Sequence, residues 1–69
     1  MAKVDVTLKL SRALTDADFD SISRLHSVYG ILMARVQPSG DELRIEYDAS
    51  RLSQLEVRAV VEQQGIPLV

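Results

Sequence analysis

The chain has 69 residues, 46% of them hydrophobic and 26% charged, with no cysteine and a formal net charge of −2. This composition describes one globular domain rather than a disordered segment, near the size at which a core just sustains itself, since a ~60-residue chain buries only about 60% of its unfolded surface. It excludes disulfides, zinc fingers, thiol nucleophiles and thiol redox chemistry, offers no basic excess for nucleic acid, and holds no apolar run approaching the ~20 residues that cross a bilayer.

From Lys3 to Leu10 the residues alternate, with Val4, Val6, Leu8 and Leu10 on one side and Lys3, Asp5, Thr7 and Lys9 on the other. This is the pattern of a half-buried strand. The same alternation leaves no continuous hydrophobic segment at the N-terminus, so a secretory signal is not expected and a cytoplasmic location is. Thr15-Asp-Ala-Asp18 supplies an N-cap and a carboxylate three residues on. Phe19, Ile22, Leu25 and Val28 or Tyr29 follow at helical spacing, which predicts a helix from about Asp16 to Val28. Tyr29 is expected as a half-buried helix end with its hydroxyl in water. Gly30 stands where a left-handed residue ends a helix, and Ile31 to Gln37 reads as a strand.

Pro38-Ser-Gly-Asp41 is turn chemistry, and Leu43, Ile45 and Tyr47 then alternate with Arg44 and Glu46, so the two strands form a hairpin. Ser53-Gln-Leu-Glu56 is a second capping signature, with Val57, Val60 and Val61 on one helical face and Leu52 placed to pack on it. Gly65 stops that helix. Ile66 to Val69 leaves room for a short final strand, at a sheet edge because Pro67 has no N–H to donate. The order βαββαβ predicts an α+β ferredoxin-like sandwich: a four-stranded antiparallel sheet with two helices on one face and right-handed crossovers, in a single domain over residues 1–69.

The run from Gly30 to Leu68 carries a resemblance. Gly30-Ile31, the Leu43/Ile45/Tyr47-Asp48 strand, Leu52-Ser53, Val57, Val61 and Gly65-Ile66 together are similar to the second half of heavy-metal-associated domains, the copper and zinc chaperone modules. In that family the first loop carries a Gly-Met-x-Cys-x-x-Cys run. The stretch here is Arg12-Ala-Leu-Thr-Asp-Ala-Asp18, and the cysteines would fall at Leu14 and Ala17 or at Thr15 and Asp18. Ile66 stands where the family often has an aromatic residue beside the metal loop. Monovalent copper prefers sulfur, and Met1 and Met33 have no paired spacing, so thiolate exchange is unsupported and no cofactor is expected.

Other chemistry is thin. Asp16, Asp18 and Asp20 lie within five residues and, with His26, form the alternative of a weak site for a harder ion. Against it, acids in a first helical turn face the positive end of the helix dipole, and a single histidine without a ligand partner is ordinarily a helix-face residue. The serines have no positioned base, so no hydrolase motif exists. An acylphosphatase reading of Arg12 lacks the Gly-rich cradle and asparagine. Asp5, Thr7, Lys9, Arg44 and Glu46 on the sheet face do not make a base-stacking surface. The retained scaffold without its ligands implies a non-catalytic docking module, in a metal-transport context, that meets a protein partner or forms a homodimer. Its expected contact residues are Arg12, Thr15 and Asp18 at the first loop and, if Ile31, Ala34 and Val36 point inward as the resemblance implies, Leu32 and Met33 outward on an edge strand.

Overall fold

A computed structural model describes residues 2–69. Strand β1 (Lys3–Lys9) leads to helix α1 (Asp16–Leu25), then to β2 (Ile31–Val36), β3 (Glu42–Asp48) and α2 (Gln54–Gln63). The sheet order is β1-β3-β2, and β3 runs antiparallel to both neighbours, so β1 and β2 are parallel with β3 between them. This is the split crossover of a ferredoxin-like fold. The core joins Leu8, Leu10, Ile31, Ala34, Leu43, Ile45 and Tyr47 of the sheet side to Ile22 and Leu25 of α1 and Val57 and Val61 of α2. No helix among the described residues is long and apolar enough to cross a membrane.

Both helices begin with capping boxes: Thr15 and Ser53 accept from the N–H of Asp18 and Glu56, whose side chains reach back to the cap backbones. At the end of α2, Gly65 takes φ +84°, its N–H donates to Glu62 and the Ile66 N–H donates to Val61. This Schellman arrangement brings Ile66 into the core beside Val61. Gly30, with φ +96°, is held more tightly, because a Cβ there would lie 2.8 Å from Leu52 Cδ1. Gly30→Ala is expected to cost about 1–3 kcal/mol through backbone strain and displacement of Leu52. Urea unfolding checks this, and an unchanged midpoint would refute it.

Several expectations need correction. Among the described residues the sheet has three strands, and the expected fourth is reduced to an isolated antiparallel bridge between Leu68 and Leu10, with Ile66 turned into the core and Pro67 lacking an N–H. Helix α1 ends at Leu25 rather than near Val28, and residues 26–28 tighten into turns whose N–H groups donate to the carbonyls of Ser23, Arg24 and Leu25. Its buried side is Asp18, Ser21, Ile22 and Leu25, so Phe19 is left 49% exposed. Tyr29 is 72% exposed rather than half-buried, with the Arg51 guanidinium 4.4 Å above its ring. Val4 is also open at 41%, since no strand among the described residues covers the outer edge of β1.

Candidate interaction site

The loop between β1 and α1 is closed by its own charges. Arg12 donates from Nη1 to Asp18 Oδ2 at 2.6 Å and from Nη2 to Oδ1 at 3.3 Å, a forked ion pair. Asp18 Oδ2 also accepts from the Thr15 backbone N–H at 2.8 Å and from Thr15 Oγ1 at 3.1 Å. Asp18 is only 5% exposed, yet every oxygen is satisfied. The Arg12 bond first, and then the Thr15 N–H, hold its carboxyl down at about 2, and the same bond raises the Arg12 pKa. Arg12, Thr15 and Asp18 therefore form one constellation. The capping box fixes Asp18 on the first helical turn, and the turn before Thr15 brings Arg12 back over it.

This constellation occupies one of the two cysteine alignments, and it does not suit a soft metal. Thr15 and Asp18 offer oxygen rather than sulfur, and the carboxylate is already bound by a guanidinium. The other alignment offers no donor, with Leu14 packed on the core and Ala17 on an exposed helix face. The harder-ion alternative is not assembled either. Asp16 and Asp20 are exposed while Asp18 is turned inward, and His26 lies at the far end of α1, where its Nε2 accepts from the Ala34 N–H at 3.4 Å. Among the described residues no three His, Asp or Glu side chains converge.

The Leu32/Met33 surface is separate. Strand β2 is a sheet edge, and a bulge between Ile31 and Met33 shifts the register. That extra residue lets Ile31 and Ala34, three apart, both face the core. Leu32 is left 39% exposed, while Met33 is half-buried. These residues sit at the Ile31–Tyr47 end of the sheet, whereas Arg12 follows Leu10 at the opposite end, where the Leu10 N–H bonds the Asp41 carbonyl.

Sequence reading missed Asp48 and Arg51, which line an open cavity of about 540 Å³ with Tyr29 and Leu32. Asp48 is 4% exposed and accepts from Ser50 Oγ at 2.6 Å, the Ser50 N–H at 3.0 Å, the Ala2 N–H at 3.2 Å and Arg51 Nε at 3.2 Å. The Ser50 hydroxyl, foremost among these donors, holds its pKa at about 2. Asp-Ala-Ser at a strand end is a local signal for such an Asx turn.

With this geometry the fold is ferredoxin-like, and it is similar to those of two solved proteins named for copper handling. The CopZ metallochaperone superposes with a TM-score of 0.76 at 19% identity, over 96% of this chain and 100% of that one. A protein from Bacillus anthracis str. Ames named for copper-ion binding gives 0.78 at 22%, over 99% of this chain and 97% of its own. By sequence the chain matches no family model and no curated protein.

Proposed function

We propose that this chain is a non-catalytic interaction module in which a metallochaperone scaffold works through protein contact instead of thiolate transfer, in a cytoplasmic, metal-transport context. The observation that carries this reading is the Arg12–Asp18–Thr15 constellation, which fills the first loop with an internal ion pair and gives it a fixed shape without a ligand. A half-exposed guanidinium over a neutralised carboxylate is a specific contact point for a partner, and the Leu32/Met33 edge is a second, apolar one. The groove beside the loop, about 490 Å³ and lined by Arg12, Ala13, Gly40 and Asp41, extends the first surface.

The test is an Arg12→Glu, Leu32→Asp double variant. It is expected to remain folded and to lose the partner captured by the natural chain in an affinity pull-down with mass spectrometry. An unchanged partner set would sink both surface assignments.

A further inference from the structure

Among the described residues, strand β1 is paired along its length with β3 and meets backbone on its other side only at its C-terminal end. The Leu10 N–H donates to Asp41 on the β3 side, while on the other side the Val69 N–H donates to the Lys9 carbonyl and the Ser11 N–H to the Pro67 carbonyl. In a strand, backbone groups alternate sides, so Leu8, Val6 and Val4 face β3, and the N–H and C=O groups of Thr7, Asp5 and Lys3 face outward. The bridge at Leu10–Leu68 ends the pairing before it reaches them. Beside this edge, a cavity of about 330 Å³ is lined by Leu8, Gln54, Leu55 and Arg58, with Leu55 77% exposed. Val4, on the same face of β1 as Leu8, is open as well. A free backbone edge flanked by uncovered aliphatic side chains is a template for another strand.

We infer that the occupant is a second copy of this chain, paired β1 to β1 antiparallel about a two-fold axis through Val4. Charge selects the register. Outward-facing residues must pair with outward-facing residues, so the candidate registers centre on Val4, Asp5, Val6 or Thr7. Centring on Asp5 sets that carboxylate against itself. Centring on Val6 sets Lys3 opposite the partner copy's Lys9, a like-charge pair, and centring on Thr7 needs Asp5 to pair with Lys9, whose carbonyl the Leu10–Leu68 bridge already occupies. Centring on Val4 sets Lys3 opposite Asp5 of the partner copy twice and leaves the bridge untouched.

Within one copy Asp5 stands directly opposite Glu46, a like-charge pair relieved on the diagonals by Arg44 to Asp5 at 2.8 Å and Lys3 to Glu46 at 3.6 Å. The second copy's lysine supplies Asp5 with a cation on its other side, completing a ladder of alternating charge across the joined sheets. On the helix face the two Val4 side chains meet as a close pair and lose their exposure. One short strand and a few aliphatic side chains make a small interface, so the dimer is weak and concentration-dependent. This inference deepens the interaction reading but uses a different surface from Arg12 and Leu32.

Sedimentation equilibrium over a wide concentration range tests it. The natural chain is expected to dimerise reversibly. Lys3→Asp and Asp5→Lys each turn two attractive contacts repulsive and weaken the dimer roughly tenfold or more. Mixing the two single variants pairs the new acid of one with the new base of the other, so the mixture dimerises, as does the Lys3→Asp/Asp5→Lys double variant. Amide exchange of the unmutated chain gives a second measurement, with Lys3 and Asp5 amides gaining protection as concentration rises. A natural chain that stays monomeric to millimolar concentration, or a dimer indifferent to both single changes, would overturn the inference. The Arg12→Glu, Leu32→Asp variant is expected to dimerise normally, which separates failure of this interface from failure of the docking surfaces.

Discussion

Native mass spectrometry of an Arg12→Ala/Thr15→Cys/Asp18→Cys variant is expected to show one monovalent copper ion per chain, where the natural chain shows none. Thr15 Oγ1 and Asp18 Oδ2 lie 3.1 Å apart, so the two side chains already face one another across the start of the helix. The first turn of α1 lowers the pKa of a thiol placed there, and removing Arg12 takes away the competing cation. The metal-free variant is expected to melt roughly 4–8 °C below the natural chain, because the cap and ion pair are gone, and copper should restore the loss by binding only the folded form. A folded variant that takes up no copper would show that loop geometry, and not ligand chemistry alone, departs from a metal site.

Acid is expected to destabilise the natural chain in a defined window. Asp18 and Asp48 are buried at opposite ends of the sheet, and each has a folded pKa of about 2 against an ordinary 3.8. A carboxylate with a depressed folded pKa contributes stability that is fully present above its unfolded value. The contribution declines as pH falls from 3.8 and is gone below about 2, when both states are protonated. With two such groups the slope approaches two protons taken up on unfolding. Urea midpoints measured across that window should fall with pH, and Asp18→Asn and Asp48→Asn should each remove part of the slope. A flat profile in the natural chain would contradict the hydrogen-bond networks assigned to these two carboxylates.

The candidate site is partly legible in the sequence. Thr15 and Asp18 announce a capping box by their spacing, and the structure contains it. The role of Arg12 was not in the pattern, because a guanidinium three residues before a cap points anywhere until the loop's path is fixed. In the sequence Asp48 marks only a strand end. Its burial depends on Ser50, Arg51 and the Ala2 N–H arriving together, and Ala2 is 46 residues away in sequence.

Sequence alone determined the five regular elements and their boundaries where caps mark them, because strand alternation, capping boxes and glycine stops act over a few residues. It also determined that no thiolate site exists. Only the tertiary structure decided which apolar residues are covered. Phe19 and Val4 carry the right periodicity but lack a neighbouring surface, while the bulge in β2 gives Ala34 a buried position that strict alternation from Ile31 would deny it. It likewise decided that residues 66–69 contribute one bridge instead of a strand. Pairing is a property of two distant segments, and here the burial of Ile66 and the missing donor of Pro67 restrict the contact of residues 66–69 with β1 to that bridge.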